Sequence, residues 1–254
     1  VLLHCFAGCS YEAVTDALRS MNLWAQRGEK VDRPLIKPRA WSTPEPAEDR
    51  DALARTRVAR SIWEKAEPIG GTPAEQYLRR RGITCSLPGK LRYVPFLGHP
   101  TGTDHPALVA AIQDPTGRLT AVQRIYLTDD GRKAEIPGAQ VKLTLGPMHD
   151  GAVRLARPMQ TLGLAEGVET ALSARQLYSL PVWATLSAQR LSKIEMPECV
   201  ECVAIFADNG EVGQREAAKA AQHYESAGYI VEMISPPDGF GDFNDVLQGK
   251  KLPK

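Results

Sequence analysis

Three carboxylates have the type and placement to do chemistry together. Glu166 follows the β-prone run "TLGLA", Asp208 follows "CVAIFA", and Asp242 lies in the glycine-rich loop after "YIVEMI". In an open sheet of parallel strands, ligands bind beyond the carboxyl ends of the strands, so acids just past separate β-runs converge on one edge. Like charges held together are unfavourable unless a cation or a shared proton compensates. A hard divalent ion is the natural compensator, because Mg²⁺ takes one or two carboxylates and keeps water and phosphate oxygens as its other ligands. The simpler reading is that each acid caps the helix that follows it, which explains any one of them more readily than all three.

The elements that would position these acids run from Thr161 onward as strand and helix in alternation, the pattern of a mainly parallel sheet covered by helices. Upstream, residues 91–145 alternate short β-prone runs with Asp-Pro-Thr-Gly and Asp-Asp-Gly turns, which predicts antiparallel hairpins. Within Leu119–Leu127, period two puts Val122, Arg124 and Tyr126 on one face. A cation beside an aromatic suits a nucleotide strand, or is simply part of a half-exposed sheet face. A helix is predicted from about Asp51 to Ala66 with Val58, Ala59, Ile62 and Trp63 on one side. Thr72-Pro73-Ala74-Glu75 has capping-box spacing with proline at the first helical position, opening a helix that stops at Gly82. Residues 26–50 hold Pro34, Pro38, Pro44 and Pro46 among charged residues and read as an extended linker. Residues 1–24 read as a short strand, the turn "HCFAGCS" and a helix capped by Ser10 with Ala13, Val14, Ala17 and Leu18 on one face.

With 254 residues, 43% hydrophobic and 24% charged, the chain has room for one or two globular domains and is neither disordered throughout nor fibrous. No apolar run approaches the ~20 residues of a membrane-spanning helix, so no membrane role is expected. Five cysteines are too few for a disulfide scaffold, and a reducing, cytoplasmic location is expected. Residues 1–157 carry 23 basic and 17 acidic side chains, net +6, whereas residues 158–254 carry 8 and 13, net −5. A basic half suits a polyanion and an acidic half suits cations, although ordinary solvated surfaces would also read this way. Cys5 and Cys9 offer half of a tetrahedral zinc shell. The chain begins at Val1 and is read as part of something longer, so zinc is expected only in the full-length protein. Cys199 and Cys202 form a C-x-x-C, but Cys202 opens an apolar strand, which favours a structural role. A phosphate-binding Gly-x-x-x-x-Gly-Lys-Ser/Thr loop is absent from the sequence, so no ATP-driven motor is encoded in these residues.

The motifs "AEGVETALS", "FADNGEVGQREAA" and "GFGDFNDVL" resemble those of a Toprim domain, in order, over about residues 158–248. The resemblance is strongest to the Toprim primases of phages, plasmids and other mobile elements. "GTPAEQYLRRRGI" and "KLTLGP" resemble the segment that precedes Toprim in that group, and "HCFAGC" with its helix resembles the end of a primase zinc-binding domain. The organisation this implies is a zinc-domain remnant over 1–25, the linker over 26–50, an α+β segment over 51–157 and an α/β Toprim domain over 158–254. The implied activity is that of a DNA primase, a nucleotidyltransferase that makes short RNA primers on single-stranded DNA with Mg²⁺ or Mn²⁺. Ribonucleoside triphosphates and a replicative helicase are the implied partners. Glu166 matches the general acid/base glutamate, and Asp208 and Asp242 match metal ligands. Thr170, Gly210 and Asn244 stand where replicative bacterial primases have further acids, with Glu169, Glu211 and Asp245 nearby as substitutes. Arg124 and Lys142 are the candidates to guide template and triphosphate. Arg79, Arg80 and Arg81 are candidates for phosphate contacts, or simply suit a helix C-terminus. A Toprim nuclease or topoisomerase, and a non-catalytic nucleic-acid-binding module, are the rival readings.

Overall fold

A computed structural model describes residues 10–21 and 47–251. Cys5, Cys9, the strand expected before them and most of the expected linker lie outside those residues. Residues 1–45 and 46–254 are separate units. In the first, α1 (Tyr11–Ser20) starts as its sequence requires, the Ser10 hydroxyl accepting the Ala13 N–H at 3.2 Å.

The second unit opens with α2 (Ala47–Lys65), four residues earlier than proline content suggested, because no helix breaker stands between Pro46 and Asp51. Ala59, Ile62, Trp63 and Ala66 form the stripe that packs on the sheet. Val58, expected on that side, is 51% exposed, one 100° step off the stripe. After the short β1 (Glu67–Pro68) comes α3 (Pro73–Arg80), whose cap is the expected box with a longer reach. The Thr72 hydroxyl accepts the Glu75 N–H at 3.4 Å, while the Glu75 carboxylate accepts the Gly71 N–H at 2.7 Å.

The predicted hairpins are β2 (Leu91–Gly98), β3 (Asp104–Gln113), β4 (Leu119–Tyr126) and β5 (Lys142–Leu145), which with β1 make an antiparallel sheet in sequential order. Period two divides its side chains. Ala107, Val109, Val122 and Tyr126 pack with α2 residues, whereas Leu108, Ala110, Ile112, Ala121 and Ile125 join a core shared with the C-terminal segment. Lys142 pairs with Ile125 and Leu143 with Arg124, so Lys142 is placed on the face turned toward that segment.

The remaining elements are β6 (Thr161–Ala165), α4 (Val168–Tyr178), β7 (Val182–Ala184), a 3₁₀ turn (Ala188–Lys193), β8 (Cys202–Phe206), α5 (Glu211–Ser226), β9 (Ile230–Ile234) and α6 (Phe243–Gln248). The strands are parallel in the order β7-β6-β8-β9. The chain leaves β6 to one side to make β7 and then crosses to the other to make β8. The carboxyl ends of β6 and β8 therefore flank a topological switch point. Leu78, Ile125, Leu172, Phe206 and Phe243 belong to one core, so the antiparallel and parallel sheets are joined by continuous packing. Among the described residues, no helix is long and apolar enough to cross a membrane.

Candidate metal and phosphate site

Glu166 and Asp208 leave the ends of β6 and β8, and Asp242 stands at the start of α6. Together with Arg81, Lys133, Lys142, Glu169 and Thr170 they line one cleft of about 220 Å³. The capping explanation holds for only one of the three acids. Asp242 Oδ1 accepts the Asp245 N–H at 2.7 Å and is the N-cap of α6. The N-caps of α4 and α5 are instead Gly167 and Gly210, and neither helix has a side-chain cap bond. Glu166 and Asp208 are thus left to the cleft. Gly213 keeps Asp208 close to α5, since a Cβ there would lie 2.7 Å from the Asp208 carbonyl oxygen.

Electrostatics bear out the crowding. Burial, reinforced by the charges of Glu166, Asp242 and Asp245, pushes Asp208 up to about 7 while Lys142 pulls it the other way. Burial also raises Glu166, against Lys142 and the Ala188 N–H. Asp208 Oδ1 is buried and has no hydrogen-bond partner. Among the described residues, no three His, Cys, Asp or Glu side chains come close enough to hold a metal between them. An unpartnered carboxylate oxygen beside other acids, without a closed protein shell, fits Mg²⁺ or Mn²⁺, which leaves positions to water and phosphate oxygens. Asp208 and Asp242 would hold such an ion, with Glu166 and Asp245 contributing charge. Glu211 is exposed and does not line the cleft, so the expectation that it is a ligand is not supported. It is the first residue of α5, and the turn at Gly210 carries it outward.

The opposite wall is basic and comes from the antiparallel half. Lys142 Nζ donates to Glu169 at 2.8 and 2.9 Å, and the Tyr77 hydroxyl donates to the same carboxylate at 2.6 Å. Burial alone would raise Glu169, but Lys142 and Tyr77 hold it well below the usual carboxylate range. Glu169 therefore anchors Lys142 rather than replacing an acid at position 170. Asn244 is fully buried and serves Arg81 in a similar way. Its Oδ1 accepts from the Arg81 guanidinium at 2.8 Å, and its Nδ2 donates to the Arg81 carbonyl at 2.9 Å and to Ser173 Oγ at 3.0 Å.

The arginine triplet is divided by helical geometry. Arg79 donates to Glu75 and to the carbonyls of Ile83 and Cys85, Arg80 is exposed outside the cleft, and Arg81 faces into it. Of the three candidates for phosphate contacts, Arg81 alone lines the cleft, and Arg80 does not. Arg124 also differs from expectation. It is 9% exposed, its guanidinium donates to the Tyr126 hydroxyl at 3.2 Å, and Tyr126 is fully buried. The Arg124–Tyr126 pair belongs to the interior beside α2 and offers no open surface to a nucleotide strand.

Sequence reasoning missed Lys133 and Tyr77. Gly131, at φ +73°, lets the hairpin loop seat on α3, where a Cβ would lie 2.8 Å from the Pro73 carbonyl oxygen. That contact brings Lys133 to the cleft. The Asp-Asp-Gly turn was visible in the sequence, but its docking partner was not. Burial and the neighbouring Lys142 and Arg81 lower Lys133, with Glu169 opposing them. Cys199 and Cys202 are free thiols, Cys199 exposed and Cys202 opening β8.

Comparison with known proteins agrees with this architecture. Residues 161–251 match the Toprim domain, and residues 53–155 match a domain of unknown function, DUF7146. No match was found among curated protein sequences. A DNA primase domain from Pseudomonas aeruginosa is 16% identical with a TM-score of 0.50, covering 78% of this chain and 75% of that one. The Aquifex aeolicus primase, with its zinc-binding and RNA polymerase domains, is 15% identical with a TM-score of 0.51, covering 94% and 64% respectively. A DnaG primase catalytic domain bound to ssDNA is 13% identical with a TM-score of 0.50, covering 80% and 79%. At these identities the likeness is one of fold: a Toprim domain preceded by an antiparallel sheet, as in primase cores.

Proposed function

We propose that this chain, a Toprim-domain protein with the fold of primase cores, is the catalytic core of a DNA primase that makes short RNA primers on single-stranded DNA. The observation that carries the reading is the division of the cleft. Glu166, Asp208 and Asp242 crowd one wall, and Arg81, Lys133 and Lys142 face them. A nucleotidyl transfer needs both, since acids hold the metal and cations hold the phosphates. The metal, when bound, supplies positive charge to the reacting phosphate oxygens. Asp208 and Asp242 would hold it. Arg81 and Lys142, each fixed by a buried partner, orient a ribonucleoside triphosphate from the other side. Glu166, with its raised proton affinity, accepts a proton from the attacking hydroxyl.

One alternative has specific support. Asn244 is committed to Arg81 and Ser173, and Thr170 and Gly210 offer no carboxylate, so three acids of the replicative primases' set are missing. This favours a nucleic-acid-binding Toprim module with weak or no catalysis. Incubation with single-stranded DNA, labelled ribonucleotides and Mg²⁺ or Mn²⁺ separates the readings. New oligonucleotides support primase activity, cleavage of the strand or relaxation of a supercoiled plasmid in a parallel reaction supports a nuclease or topoisomerase, and binding without products supports the module.

A further inference from the structure

With Arg124 in the interior, the basic surplus of the first 157 residues needs another outlet. Two grooves of about 490 and 400 Å³ meet at Ala156 and Arg157, which line both. They lie where the antiparallel half hands over to β6, beside Pro158 and Pro181, at the amino ends of the parallel strands. The carboxylate cleft is at the carboxyl ends. A five-residue strand separates the two ends by roughly 17 Å.

Four cations line the joined groove, Lys90, Arg154, Arg157 and Arg175, and no carboxylate does. None of the four makes a salt bridge within the described residues. Arg154 is fixed in place. It stacks 4.7 Å from the buried Trp183 ring and donates to the Asp114 carbonyl, while its Nε is buried without a partner. Arg175 donates to the Ser86 carbonyl at 3.0 Å, which holds it at the other end. The acids whose charge acts on Arg154 are Asp114 and Glu195, and neither lines the groove. The Asp114 carboxylate is occupied by Thr116 and the Arg118 N–H.

We propose that this groove is a second contact for single-stranded nucleic acid, one that grips the phosphate backbone away from the catalytic acids. Four cations without a salt-bridge partner, spread over two adjoining grooves and two of them held by the fold, match a flexible polyanion better than a single small anion held in one groove. The inference rests on the primase reading only for the identity of the strand.

The test is fluorescence anisotropy of labelled oligothymidylates, one of about 6 and one of about 30 nucleotides, over a salt series. The variant is the triple substitution Lys90→Gln, Arg157→Gln and Arg175→Gln, all outside the carboxylate cleft. Losing three phosphate contacts should lower the slope of log affinity against log salt by about 2 for the long strand. Affinity for the short strand should change less, and primer synthesis at saturating template should persist. An unchanged salt slope for the long strand overturns the groove while leaving the primase reading intact. Single substitutions at Arg157 and Arg175 give a control for folding, and each should lower the slope by about 0.7. Loss of primer synthesis at saturating template, with binding unchanged, would also overturn the proposal.

Discussion

Replacing Asp208 with asparagine should make the metal-free protein more stable. In the unfolded chain an aspartate loses its proton near 3.9. In the fold Asp208 keeps its proton until about 7 because of burial and the neighbouring acids. Between those values the folded state holds the extra proton, so this site makes wild-type stability fall as pH rises and level off above about 7. A shift of that size corresponds to at most about 4 kcal/mol at pH 8. The side chain is only partly buried, and solvent screening reduces the effect to about 1–2 kcal/mol. For a unit of this size that is a rise in Tm of roughly 2–8 °C for Asp208→Asn in EDTA at pH 8. The gap should close as pH falls toward 4. Saturating Mg²⁺ should reverse the order, because ligand that binds the folded state stabilises only the protein able to hold it. Thermal melts of both proteins at pH 5 and pH 8, in EDTA and in Mg²⁺, read all of this. An Asp208→Asn protein less stable than wild type at pH 8 in EDTA would refute the crowding of Asp208 by Glu166 and Asp242.

Glu169→Gln should cost about 1–3 kcal/mol in urea denaturation, since it leaves Lys142 without its counter-charge, and should raise KM for ribonucleotides more than it lowers kcat. Asn244→Ala removes the bonds that hold Arg81 and should cost about 2–4 kcal/mol, with weakened triphosphate binding in whatever protein remains folded. Gly210 has φ −158° and nothing within 4 Å of a Cβ, so Gly210→Asp should fold normally. It should also lower the Mg²⁺ concentration for half-maximal synthesis, and unchanged metal dependence would show that position 210 does not face the metal. Glu166→Gln should abolish primer synthesis while leaving Tm equal or higher, as circular dichroism and the primer assay together would show.

Local features were legible where one segment decided them. The cap at Thr72, the hairpin turns and the acids after apolar runs each follow from a few neighbouring residues, and all three acids line the same cleft. Legibility failed where a second segment decided the outcome. Period two correctly put Arg124 and Tyr126 on one face, but the alternation does not say that α2 packs beside that face. Tyr77 and Glu169 are 92 positions apart, and neither residue signals the other. The choice of Arg81 over Arg80 depended on the phase of α3 against the parallel half, which a run of three arginines conceals.

The cleft takes its anions from one half of the chain and its cations from the other. Recombination that moved the coding region for residues 158–254 onto another partner would carry every carboxylate and leave Arg81, Lys133 and Lys142 behind. Such a chimera would keep the acidic wall but lack the cations that face it. On the proposed reading neither half alone supplies both walls of the cleft, so the two have to be kept together for nucleotide and metal to meet there.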